Sequence, residues 1–226
     1  WNAYELSWLD PRGKPVVALA SFRVPADSPN LIESKSFKLY LNSFNQTKVA
    51  SAAELADTLA RDLSAAAGAP VAVQVEPLST RPERPIGYPE GVLLDTLDID
   101  IDCYSPDPAL LIADHSQPEV GETLYSHLLK SNCLVTGQPD WGMLVVRYQG
   151  APIDREGLLR YIVSFRQHNE FHEQCVERVF VDILRQCQPT ELSVWARYTR
   201  RGGLDINPCR RTLGLPAPAS LAEVRQ

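Results

Sequence analysis

Glu33-Ser34-Lys35-Ser36-Phe37-Lys38-Leu39-Tyr40-Leu41-Asn42-Ser43-Phe44-Asn45 has an ungapped counterpart 121 residues later, Asp154-Arg155-Glu156-Gly157-Leu158-Leu159-Arg160-Tyr161-Ile162-Val163-Ser164-Phe165-Arg166. Tyr40 meets Tyr161, and Ser43-Phe44 meets Ser164-Phe165. The match reads as a tandem duplication whose copies have diverged. One copy keeps the Glu-Ser-Lys-Ser run, and the other keeps polar residues after its second strand. A functional site shared between copies follows naturally.

Outward from the repeat, period-two alternation predicts antiparallel strands over 16–24, broken at Pro25, and over 37–44. Ser51 and Glu54 form a capping box, and Leu55, Leu59 and Leu63 recur at four-residue spacing up to Gly68, so a helix follows. Short strands are expected at 71–75 and 97–101, separated by the Pro-rich loop 77–89. This half reads ββαββ. The second half repeats the order with strands at 141–148 and 158–165, a helix from about Glu170, and strands at 192–198 and 204–206. Phe171, Cys175, Val176, Val179, Phe180, Ile183, Leu184 and Cys187 form one apolar stripe on that helix. Cys175 and Cys187 are therefore core filler. The fold class is α+β.

The 226 residues are 44% hydrophobic, enough for one large domain or two small ones. A net charge of −6 and a pI near 5.3 argue against nonspecific binding to nucleic acid or anionic membranes, which requires a clustered basic face. Neither a membrane span nor a signal segment is visible, so the cytoplasm is the expected location. The chain opens on Trp1 rather than Met, and a preceding piece lies outside the reading. Five cysteines, at 103, 133, 175, 187 and 209, contain no Cys-x-x-Cys pair and suit reduced thiols better than disulfides or zinc.

Three segments are more polar than a fold requires: 33–36, 131–140 and 168–173. Cys133 opens a loop punctuated by Gly137 and Pro139, where a thiol beside polar groups can serve as nucleophile; an inert structural cysteine is the alternative. Asp140 can donate a proton, although an Asp after Pro is often only a turn former. His172 and Glu173 fall in the first turn of the long helix, with Asn169 as the expected cap. A capped helix start explains them equally well. A purine-like ring presents adjacent N–H donors that one carboxylate can accept, and either Glu173 or Glu33 can play that part. Arg200-Arg201-Gly202-Gly203 is a basic turn suited to phosphate, while a solvated loop is the usual meaning of such a run. No Gly-x-Gly-x-x-Gly follows a strand, which disfavours a Rossmann cofactor site.

Taken together, residues 33–40, Ser131-Asn132-Cys133 with Gln138-Pro139-Asp140-Trp141-Gly142, and Phe171-His172-Glu173 resemble the NADPH-dependent 7-cyano-7-deazaguanine reductases in their longer, tandem-domain form. The resemblance runs from about residue 4 to the C-terminus. It implies two tunnelling-fold units, 1–110 and 111–226, related to the GTP cyclohydrolases, and a nitrile reduction in queuosine biosynthesis for tRNA. It implies catalytic Cys133, Asp140 and His172, with Cys133 forming a thioimide. Substrate contacts would come from Ile32, Glu33, Ser34, His172 and Glu173, and NADPH contacts from Ser34, Lys35, Arg201 and Gly202. Metal and direct nucleic-acid contact are not implied. The assembly expected is a homodimer. Because Arg155-Glu156-Gly157 replaces Ser34-Lys35-Ser36, one cofactor site per chain is expected. The long family form usually carries a further segment ahead of Trp1.

Three rivals remain: a cyclohydrolase-like enzyme of the same fold, a noncatalytic purine-like ligand binder, and a cysteine hydrolase acting on nitriles. The first would want a metal cluster, yet the four histidines, at 115, 127, 168 and 172, show no ligand spacing. The last would release ammonia without consuming NADPH.

Overall fold

The structure, a computed structural model, describes residues 1–219 and 221–226. Its elements are β1 (Asn2–Leu9), β2 (Pro15–Arg23), α1 (Ser34–Asn42), α2 (Ala52–Ala67), β3 (Ala72–Pro77), β4 (Val92–Leu93), β5 (Val120–Asn132), β6 (Pro139–Gly150), α3 (Arg155–Ser164), α4 (His172–Cys187), β7 (Glu191–Tyr198), β8 (Leu204–Asp205) and β9 (Cys209–Arg211). By its contacts the chain divides into two compact units, Trp1–Arg84 with Arg200–Ile206, and Pro85–Thr199 with Asn207–Gln226. Against a division at 110/111, residues 85–110 thus lie in the second unit. Residues 200–206 lie in the first because β8 pairs with β1, Ala3 opposite Leu204.

The two stretches that opened the sequence reading, expected to be strands at 37–44 and 158–165, are helices α1 and α3. Phe37 and Leu41 are buried four residues apart while Leu39, the residue that made the run look alternating, is 63% exposed. In α3 and at its C-cap the buried set Leu158, Leu159, Tyr161, Ile162 and Phe165 has helical spacing. Each helix start is held by its own carboxylate: Glu33 accepts the Lys35 and Ser36 amides, and Asp154 those of Glu156 and Gly157. Residues 97–101, also expected as a strand, lie in none. Strands β1 and β5 escaped the alternation test because each carries a register shift, between Ala3 and Leu6 and between Ser126 and Leu129. Each unit therefore contains ββααβ where ββαββ was expected.

In the first unit an antiparallel sheet of order β3-β2-β1-β8 buries Ala18, Ala20 and Phe22 of β2 together with Phe37 and Leu41 of α1. Leu55, Leu59 and Leu63 of α2 complete that core. Ser51 caps α2 as expected, while Glu54 reaches the amide of Ala50. In the second unit the order is β4-β5-β6-β7-β9, antiparallel except for the short β4 alongside β5. Its core includes Cys175, Val176, Val179, Ile183 and Cys187 of α4, as the stripe indicated.

Aligned residues of the two copies make the same bonds. Tyr40 donates to Asp62 at 2.7 Å and Tyr161 to Asp182 at 2.6 Å, each tying the first helix of a unit to the second. Ser43 and Ser164 each donate to the carbonyl of that tyrosine at 2.6 Å. Both Tyr–Phe ring pairs meet edge-on with centroids 5.3 Å apart.

Candidate functional site

The chemistry-bearing residues fall into two groups, one in each unit. In the second unit, β5 and β6 form a hairpin whose last pair is Asn132 and Pro139. Cys133 is the first loop residue. Its amide donates to the Gln138 carbonyl at 2.8 Å, and its own carbonyl accepts from the Gly137 amide at 2.9 Å. Gly137 has φ +67°, which a glycine adopts without strain, so the thiol-bearing residue sits at a fixed corner, half-buried.

Asp140, opposite Ser131 across the hairpin, is 3% exposed. His172 opens α4 and brings Nε2 to 3.6 Å from Asp140 Oδ1. Glu173 follows in the same turn, one carboxylate oxygen fully buried. Asn169, expected to cap α4, does not; the cap position is Phe171 and no side chain fills it. The Asn169 carboxamide instead accepts from the Asn132 side chain at 3.0 Å. The Asn132 amide donates to the His168 carbonyl at 2.8 Å, and the Glu170 amide to the Asn132 carbonyl at 3.2 Å. These bonds lash the residue before Cys133 to the segment that leads into His172. Glu170 in turn accepts from Arg178 and His168; burial alone would raise its carboxyl, but these bonds hold it below the usual range.

The other cysteines read differently. Burial pushes the Cys175 thiol up to about 12 and that of Cys187 up to about 11, so both stay protonated and unreactive. Lys130, on the hairpin opposite Trp141, is lowered by burial and by the Arg166 charge, with Asp140 pulling the other way.

In the first unit, half-buried Ile32 packs against the core beside Glu33, Ser34 and Lys35 at the open end of α1. The Glu33 carboxylate accepts from the Lys35 and Ser36 amides at 2.8 and 2.7 Å and from the Ser36 hydroxyl at 2.8 Å. The turn at Arg201 and Gly202 is closed by the Arg201 amide on the Leu204 carbonyl at 2.9 Å. Gly202 takes φ +57°, and a Cβ there would lie 3.2 Å from Lys38 Cδ. The turn thus abuts α1, and Lys38 joins the cationic set of Lys35 and Arg201. Lys38 was missed because the run was read as a strand; three residues apart on a helix, Lys35 and Lys38 share a face. These cations and the glycine amide suit the phosphates of a dinucleotide.

A concavity of about 180 Å³, lined by Glu122, Arg147, Tyr148 and Leu215 among others, contains none of these candidates. Among the described residues no group of three or more His, Cys, Asp or Glu side chains is arranged to hold a metal ion. No helix among them is long and apolar enough to cross a membrane.

Fold and site together define a tandem α+β protein with a half-buried free thiol at a hairpin corner and a buried Asp–His pair beside the same hairpin. Comparison with known proteins makes this specific. A family described as "Nitrile reductase, 7-cyano-7-deazaguanine-reductase N-term" matches residues 1–75, and one described as "QueF-like protein" matches 139–214. NADPH-dependent 7-cyano-7-deazaguanine reductases of Aromatoleum aromaticum, Dechloromonas aromatica and an Azoarcus species are 69%, 68% and 66% identical over the whole chain, which spans 80% of each. The chain belongs to the NADPH-dependent 7-cyano-7-deazaguanine reductase family. A solved structure, the archaeosine synthase QueF-Like in the apo form, is 17% identical with a TM-score of 0.38, covering 44% of this chain and 99% of that one.

Proposed function

We propose that this chain reduces the nitrile of 7-cyano-7-deazaguanine to the aminomethyl group with NADPH, as a cytoplasmic step of queuosine biosynthesis, through a thioimide on Cys133. The observation that carries the reading is the buried Asp140–His172 pair at the foot of the hairpin whose loop begins with Cys133. A nitrile carbon is a weak electrophile, and covalent capture beside a proton donor divides one hard step into easier ones. The Cys133 thiol passes its proton to Asp140 as its sulfur attacks that carbon; a C–S bond forms, one C–N π pair moves to nitrogen, and nitrogen takes that proton from Asp140. NADPH, when bound, supplies the two hydrides that four-electron reduction requires. Between them the C–S bond breaks, Cys133 departs, and Asp140 with His172 returns the protons. At 3.6 Å the pair is longer than a hydrogen bond, as catalytic pairs often are before a ligand docks.

Glu173 and Glu33 accept the adjacent ring N–H donors, with Ile32, Ser34 and His172 against the ring. Glu33 exchanges part of its hold on α1 for the ligand, at a cost of about 0.5–2 kcal/mol. Ser34, Lys35, Arg201 and Gly202, joined by Lys38, hold NADPH. The chain works as a homodimer, without direct contact to nucleic acid. In its support, β3 is the end strand of the first sheet and leaves one backbone edge for a strand of a second copy. Light scattering should give twice the 25.1 kDa chain mass.

The test is stoichiometry and adduct together. Purified protein should oxidise about two NADPH per nitrile, and without NADPH mass spectrometry should find the substrate on the Cys133 peptide. Cys133→Ala should abolish both. A ratio near one, or label on Cys103 or Cys209, overturns the reading.

A further inference from the structure

Tyr198 ends β7 and is wholly buried. Its ring meets the His172 imidazole nearly at right angles, 81°, with centroids 4.1 Å apart. Across the sheet Tyr198 pairs with Gly142, where a Cβ would come within 3.1 Å of Tyr198 Cδ1 and 3.4 Å of Cε1. The ring therefore leans over Gly142, where a side chain would crowd it by a few tenths of an ångström. Two residues back along the same strand, and so on the same face, stands Asp140, whose Oδ1 lies 3.6 Å from His172 Nε2. The tyrosine hydroxyl lies near the Ser131 hydroxyl and the Cys175 thiol, close enough for each to act on its ionisation. None of these contacts is a well-aligned hydrogen bond. The ring, rather than the hydroxyl, is the working part.

An imidazole at the first turn of a helix has two soft torsions and would sample several orientations if nothing packed against its plane. Asp140 fixes one edge of the ring. An aromatic edge-to-face contact fixes the plane. Nothing in the sequence flagged Tyr198, which reads as one more apolar residue of β7. Only the pairing with Gly142 brings it beneath the histidine.

We propose that Tyr198 is a positioning residue for nitrile reduction: its ring, admitted by Gly142, holds the His172 imidazole in the plane from which it can exchange a proton with Asp140. This rests on the reading that Asp140 and His172 handle the protons of that reaction. Tyr198→Phe, which keeps the ring, should retain kcat within about twofold, whereas Tyr198→Leu should lower kcat by about 10- to 100-fold, the scale of a misplaced catalytic group. The substrate KM should move far less than kcat. Gly142→Ala, which leaves Tyr198 in place but crowds its ring, should lower kcat in the same sense and serves if the Leu variant does not fold. The His172 ring resonances, assigned by difference against His172→Asn, should be near wild type in Tyr198→Phe and shifted in Gly142→Ala, without any turnover. If wild-type protein fails to consume NADPH with the nitrile, the functional reading falls. If wild type is active but folded Tyr198→Leu and Gly142→Ala keep full kcat, or Tyr198→Phe loses as much as Tyr198→Leu, the positioning role falls alone.

Discussion

Glu33 holds the start of α1 and is also proposed to grip the substrate, and the duplication supplies a matched control for separating the two. In Glu33→Ala, three accepted bonds of 2.7–2.8 Å disappear from the first turn. In Asp154→Ala, two bonds of 3.1–3.2 Å disappear from the equivalent turn of α3. An N-cap is worth about 0.5–2 kcal/mol, and the shorter, more numerous bonds place Glu33 in the upper half of that range and Asp154 in the lower. At roughly 2–4 °C per kcal/mol for a chain of this size, the melting temperature should fall by about 2–8 °C for Glu33→Ala and less for Asp154→Ala. Burial would raise the Glu33 carboxyl, but the Lys35 and Ser36 amides hold it below its ordinary 4.5. A depressed folded value means that the cap's stability is complete above 4.5 and is lost as pH falls through the folded value, so Glu33→Ala should also flatten that acid limb. Only Glu33→Ala should weaken substrate binding, by about 1–3 kcal/mol, or roughly 5- to 150-fold in Kd by calorimetry. If both variants leave Kd within about twofold of wild type, or both weaken it equally, Glu33 does not contact the ring.

Asp140→Asn should lower kcat by about 10²- to 10⁴-fold while substrate Kd changes little; a pure rise in KM contradicts a proton-transfer role. In native protein near pH 8, iodoacetamide should alkylate Cys133 well ahead of Cys175 and Cys187, read by peptide mass spectrometry, and early label on Cys175 would show that its burial is misjudged. Because the folded Cys175 value is raised from 9.0 to about 12, its contribution to stability is full below 9.0 and is lost as pH rises toward 12; Cys175→Ala should make that alkaline decline in urea midpoint shallower. Gly157→Ala puts a Cβ 2.3 Å from the Leu110 carbonyl oxygen and should destabilise by about 1–3 kcal/mol, whereas an unchanged urea midpoint would mean the backbone there yields freely.

What the sequence made legible was the family and the long helices, because both are written in short runs of neighbouring residues. The Ser51 cap, the leucine ladder of α2 and the apolar stripe of α4 are local signals, and the structure bears them out, with Glu54 reaching the Ala50 amide rather than that of Ser51. Strands were less legible where a bulge breaks their period, as in β1 and β5. The error at 37–44 was of another kind: Phe37, Leu39 and Leu41 alternate, and only the exposure of Leu39 shows that the alternation was accidental. The strand expected at 158–165 fails because its buried residues Leu158, Leu159, Ile162 and Phe165 have helical spacing. Tyr198 and Lys38 could not be found locally. One depends on a strand pairing across β6, and the other on which face of a helix meets a distant turn.

The same comparison of copies bears on the proposal that a duplicated chain carries one cofactor site. In α1 the first turn is open: Lys35 and Ser36 are exposed, and Gly202 approaches the helix closely enough to bring its backbone beside Lys38. In α3 the equivalent turn is closed. Gly157, aligned with Ser36, is buried against the Leu110 carbonyl, leaving no room even for a methyl group. Arg155, aligned with Ser34, is drawn away to Glu122 at 2.7 Å. The second copy has thus paired Arg155 and buried Gly157 while keeping the cap, the Tyr161–Asp182 tie and the core. On the proposal that only the first copy holds cofactor, the second is free to bury its first turn and to present the proposed chemistry at the hairpin of Cys133 and the start of α4. Division of labour between copies then explains both the internal symmetry of the bonds and the asymmetry of the residues around them.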